Sequence, residues 1–134
     1  MTQLATEDRL AIQETLARYC HCLDRGRWEE LVSLFTEDCR LDLSQVLGSY
    51  EGHAGLRQFA QIITSANLFM RHLVTNTVID GDGAHAHAQA YVIAITGPQG
   101  TKPQQTTGLY VDELVKRDGR WLLHRRHLTL DVPA

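Results

Sequence analysis

A chain of 134 residues is the size of one domain with a sizeable core, so residues 1–134 are expected to form a single domain. Its 43% hydrophobic and 22% charged content is that of an ordinary globular protein, and no apolar run approaches the ~20 residues that span a bilayer, which argues against a membrane protein. A net charge of −3 argues against nucleic acid as a principal partner, because phosphate binding needs clustered Lys and Arg.

The opening stretch MTQLATEDRL is acidic and lacks the basic-then-apolar pattern of a secretory signal, so a cytoplasmic location is expected. Thr6 is a plausible N-cap, with Glu7 and Asp8 in the first turn, for a helix running to about Asp24. Along it Leu16, Tyr19, Cys20 and Leu23 form a core-facing stripe, and Asp24 continues the Leu16/Cys20 row one turn further. A carboxylate therefore ends a buried stripe. Gly26 stops the helix where a left-handed residue is commonly needed, and a second helix follows from about Arg27 to Phe35, with Trp28 as a core anchor. Cys39 to Leu43 alternates as a short strand, 44–52 reads as a loop, and Ala54 to Ala66 returns to helical periodicity through Leu56, Phe59, Ile62 and Ile63. That makes three helices in the first half.

The second half reads as strands: Phe69 to Ile79, Ala84 to Thr96, Gln105 to Arg117 and Arg120 to Val132. DGDG at 80–83, GPQG at 97–100 and the Asp-Gly pair at 118–119 are hairpin signals, so the strands should form an antiparallel meander. Helices gathered at one end of the sequence must cover one face of that sheet, which makes an α+β domain: a cone-shaped, curved antiparallel sheet with N-terminal helices on its concave face, enclosing an apolar pocket. In AHAHAQA the alanines share the face that a helix can approach, while His85, His87, Gln89 and Tyr91 face away as a surface for a homodimer or homotrimer.

Three cysteines, Cys20, Cys22 and Cys39, read as reduced packing residues; Cys20 and Cys22 point about 200° apart on a helix. His85, His87, His124 and His127 invite a metal, but no Asp, Glu or Cys joins them at a ligand-like spacing, so no metal is expected. No glycine-rich phosphate loop or dinucleotide fingerprint occurs, so no cofactor is expected and the partner is a small molecule. Arg71 and Arg126 are expected to be solvated, with orientation of an anionic substrate as the alternative role. The remaining chemistry lies in His72, within FMRHLVTN, which paired with Asp24 would be a general base with a fixed tautomer. A buried Tyr19 would then bind developing oxyanion charge.

RYCHCLDRGRW, the RHLVTN strand and the closing YVDELVKRDGRWLLHRRH hairpin together resemble the SnoaL-like branch of the nuclear transport factor 2-like superfamily, also called cystatin-like. The nearest resemblance in motif is to scytalone dehydratase, bile-acid 7α-dehydratase and hexachlorocyclohexane dehydrochlorinase, eliminating enzymes without cofactors. It implies that His72 is the base, that Asp24 holds it, and that Tyr19 assists. Leu43 stands where the scytalone dehydratase type has a tyrosine, and Gly108 and Tyr110 where it has serine and asparagine, which implies a less polar ligand. Leu43, Tyr110, His127 and Trp28 are the candidate substrate-binding residues. The expected function is a cofactor-independent lyase or isomerase. The alternatives are a polyketide cyclase, a non-catalytic binding or assembly module, and an oxygenase small subunit.

Overall fold

The computed structural model describes residues 3–131, and of 45 and 46 the backbone only. Helix α1 (Thr6–Arg25) and helix α2 (Trp28–Ser33) lead into strand β1 (Phe35–Asp42), followed by a short helix α3 (Ser44–Leu47), strand β2 (Ser49–Glu51) and helix α4 (Gly52–Ala66). Four long strands complete the fold: β3 (Leu68–Gly81), β4 (His85–Pro98), β5 (Gln104–Arg117) and β6 (Arg120–Leu130). Among the described residues these form one six-stranded sheet in the order β2-β1-β6-β5-β4-β3. No described helix is long and apolar enough to cross a membrane.

The hairpins form where their turn chemistry placed them. Asp118 and Gly119 both take positive φ, 53° and 77°, as a two-residue type I′ turn requires. Asp82 accepts the backbone N–H groups of Ala84 and His85 at 2.8 and 2.9 Å, which closes the turn before β4. Curvature comes from irregularities in register: between Thr75 and Val78, where Asn76 has φ 56°, and between Glu113 and Leu114, where β6 carries an extra residue.

Four expectations are corrected. The sheet is mixed, because β1 runs parallel to β6 while its other neighbours are antiparallel. A segment entering from α2 reaches that side of the sheet already pointing along β6. Strand β1 also begins at Phe35, the residue expected to end the second helix and four residues before the alternating stretch; Phe35 pairs with Leu123 of β6, and the side chain of buried Thr36 meets His124 Nδ1 at 3.1 Å. The expected loop at 44–52 holds α3 and β2. Thr6 lies inside α1, whose N-cap is Ala5 with no side-chain capping bond. The expected end of the last strand, Val132, lies outside the described residues.

Helix α1 crosses the concave face and is pinned at both ends. Near its start Asp8 accepts hydrogen bonds from Trp121 Nε1 at 2.9 Å and Lys116 Nζ at 3.0 Å. At its finish Gly26 adopts φ 68° and the Arg27 N–H donates to Cys22 O at 2.9 Å, a left-handed cap that terminates the helix one residue after Asp24, at Arg25. Its stripe of Ile12, Leu16, Tyr19, Cys20 and Leu23 is buried in one core with Ala86, Ala88, Val92 and Leu114 of the sheet. The small alanines let that core close tightly, while Tyr91 on the opposite face is 56% exposed.

Candidate active site

The helix stop fixes Asp24, and β3 brings His72 to it. Asp24 Oδ1 lies 2.6 Å from His72 Nδ1, and Oδ2 accepts the backbone N–H of the same residue at 2.9 Å. Both carboxylate oxygens thus hold one histidine. The pair is nearly closed to solvent, with side chains 12% and 6% exposed for His72 and Asp24. An ionised carboxylate only accepts, so Nδ1 carries the hydrogen in this pairing and Nε2 is left as the basic nitrogen.

His72 stands in the wall of a cavity of about 240 Å³ enclosed by α1, α4 and the inner sheet face. Tyr19 and Leu23 of α1, Phe59 and Ile63 of α4, and Met70, Ala94, Thr106, Tyr110 and Leu128 of the sheet also line it. Among the described residues no Asp, Glu, Lys or Arg does. The volume falls just below the roughly 300 Å³ at which drug-sized sites begin, which fits a small, mostly apolar ligand. On the other side of the dyad an open groove of about 850 Å³ runs between α1 and β3, flanked by His21, Arg25 and Arg71. Asp24 and His72 therefore separate an apolar interior from a wet exterior.

Tyr19 is fully buried against Phe35 and Tyr110, both edge-on with ring centroids 6.0 and 6.1 Å away. Among the described residues its hydroxyl makes no hydrogen bond of full geometry, and burial pushes its pKa up to about 12 against the opposing pulls of Arg126 and the nearby Tyr110 hydroxyl. It remains a proton donor at neutral pH. Leu43 and Tyr110 line the cavity as well. The other two candidates do not: His127 is 59% exposed with Nδ1 4.0 Å from Asp42, and Trp28 packs edge-on against Phe59 at 6.0 Å. Alternation explains the first. Arg126 and Leu128 are buried, so His127 between them points outward.

Arg126 is the largest departure from expectation. It is neither solvated nor free to meet an anion, being fully buried in a two-pronged ion pair with buried Asp112, Nε to Oδ1 at 2.8 Å and Nη2 to Oδ2 at 2.9 Å. Its guanidinium carbon sits 3.6 Å from the Tyr110 ring centroid and 4.4 Å from that of Tyr19. Burial works against its charge, but Asp112 outweighs this and holds its pKa above the ordinary value. The pair props the two tyrosines that line the cavity. Arg71 faces the outer groove with its guanidinium 5.3 Å from the Phe69 ring centroid. Among the described residues no three His, Cys, Asp or Glu side chains are gathered for a cation.

A six-stranded sheet curled over a long helix, with a pocket between them, defines the cystatin-like α+β class. The family model for the SnoaL-like domain matches residues 5–127, and the chain belongs to that family. A protein of unknown function with a cystatin-like fold from Nostoc punctiforme is 25% identical, with a TM-score of 0.84 over 98% of this chain and 96% of its own. Two proteins of Novosphingobium aromaticivorans are similar with TM-scores of 0.85. A candidate aromatic ring hydroxylase is 30% identical over 96% of this chain and 92% of its own, and a candidate scytalone dehydratase is 27% identical over 94% and 85%. No curated protein matches the sequence.

Proposed function

We propose that this protein is a cofactor-independent lyase or isomerase that removes a proton from carbon in a small, largely apolar cyclic substrate. One observation carries the reading: a histidine clamped at 2.6 Å by a nearly buried aspartate, in the wall of an uncharged cavity. Similarity to a candidate scytalone dehydratase agrees with this.

In the proposed reaction His72 Nε2 takes the proton next to a carbonyl, and the C–H electron pair moves into the enolate. Asp24 balances the charge of the imidazolium. The Tyr19 hydroxyl, buried without a partner at the cavity, donates to the enolate oxygen. In an elimination the enolate re-forms the carbonyl, the bond from the β-carbon to its hydroxyl breaks, and the leaving oxygen takes the proton back from His72 as water departs. Isomerisation returns that proton to a different carbon. The low polarity of the walls strengthens each of these charge interactions. A homodimer or homotrimer joined through the outer sheet face, where Tyr91 is exposed, completes the proposal.

The test is a panel of cyclic β-hydroxyketones, followed by the near-ultraviolet absorbance of the enone. Wild-type protein should eliminate water from at least one member. His72→Ala should lower the rate about 10²–10⁴-fold, the usual contribution of a positioned base, with Asp24→Asn in the same range. Turnover untouched by either substitution would refute the assignment.

A further inference from the structure

The register of the sheet places a second polar group opposite His72. His72 pairs with Ala94 on β4, and Ala94 pairs with Thr106 on β5, and all three line the cavity. The three therefore form one row across the cavity floor, an imidazole at one end, a hydroxyl at the other and only a methyl between. Two strand spacings separate the ends by roughly 10 Å at the backbone. Thr107 gives its hydroxyl to Asp131 at 3.0 Å, whereas the side-chain hydrogen bonds among the described residues include none from Thr106. Thr106 is half-buried, so its hydroxyl is shielded enough to matter and has no partner among the described residues.

We infer that Thr106 is a specificity-determining residue, which hydrogen-bonds an oxygen at the end of the ligand remote from the carbon facing His72. The orientation rests on the acid/base reading of the dyad. The ligand class is a neutral alicyclic ketone carrying one hydrogen-bonding oxygen on the far side of its ring. Neutrality follows from the walls: among the described residues no charged side chain lines the cavity, and Arg126, fully buried and paired through Nε and Nη2 with Asp112, lies behind Tyr19 and Tyr110 rather than in the wall. A carboxylate or phosphate brought in here would lose its hydration with nothing to replace it. The alanine between the two polar groups leaves room for the ring; a larger residue at 94 would block the trough.

The matched probes are 4-(2-hydroxyethyl)cyclohexanone and 4-propylcyclohexanone, alike in size and differing in the terminal oxygen. Calorimetric titration should give wild-type protein roughly a fivefold preference for the hydroxylated ketone, the worth of one hydrogen bond made against water. Thr106→Val should bring the ratio of the two dissociation constants close to one, and Thr106→Ser should retain it. A wild-type ratio near one, failure of both ketones to bind, a preference that survives Thr106→Val, or a preference erased instead by Thr96→Val would each overturn the inference. Deuterium uptake next to the carbonyl by wild-type protein reads the dyad separately. A preference that depends on Thr106 without any such uptake supports the role of Thr106 and counts against the acid/base reading alone.

Discussion

Replacing Asp112 by leucine should be among the most damaging single substitutions in this chain, and replacing Arg126 by methionine alongside it should undo most of the harm. Both side chains are completely buried, both guanidinium contacts are within 2.9 Å, and Arg126 Nη1 already lacks a partner. Without Asp112 a full positive charge stays between two tyrosine rings with nothing to balance it. Breaking a buried pair from one side costs about 3–5 kcal/mol, a large share of the roughly 5–15 kcal/mol that holds a domain together. For a domain of this size that is a fall in Tm of about 10–20 °C. The double substitution removes the desolvation penalty together with the attraction, and should lie within about 2 kcal/mol of wild type. Urea unfolding of all four proteins in a double-mutant cycle measures this. A single variant within about 1 kcal/mol of wild type, or a double variant as unstable as the sum of the two singles, would refute the account of the pair.

Tyr19→Phe should leave stability unchanged or slightly improved, since the buried hydroxyl has no partner to lose, while slowing turnover about 10–100-fold; calorimetry beside the elimination assay separates the two effects. Burial pushes the thiols of Cys20 and Cys22 up to about 11 and 12. These raised values, with that of Tyr19, favour the folded state below the ordinary thiol range and lose that contribution as pH climbs through about 9 to 12. The folded protein should therefore resist iodoacetamide at pH 8 and lose stability in strong alkali, whereas rapid labelling without unfolding would contradict the burial. Ser44 stands at φ 75° with its hydroxyl buried and without a partner among the described residues, so Ser44→Gly should stabilise the fold by about 1 kcal/mol in urea titration.

The long elements were legible because their signals are local. The apolar stripe of α1, its glycine stop and the Asp-Gly turn each depend on a few neighbouring residues, and each appears at its place. Asp24 could be picked out as a carboxylate on a buried row, but the 2.6 Å contact to His72 spans 48 residues of sequence and needed the fold. The start of strand β1 is not legible because Thr36, Glu37 and Asp38 break the alternation; they form the irregular stretch between two points of pairing with β6, at Phe35 and from Arg40 onward. The Asp112–Arg126 pair leaves a sign in the sequence. Asp112 alternates in phase with Tyr110 and Leu114, so an inward Tyr and Leu imply an inward Asp, which demands a buried cation. The same parity keeps His127 out of the pocket, because its neighbours on either side face inward.

The claim that the dyad is a working base is tested most directly by deuterium exchange next to the carbonyl of small cyclic ketones in heavy water, followed by proton NMR. Wild-type protein should accelerate the exchange, and His72→Ala and Asp24→Asn should each slow it by about a hundredfold or more while remaining folded. Exchange by His72→Ala as fast as wild type would contradict the claim, and so would the absence of any acceleration by wild-type protein.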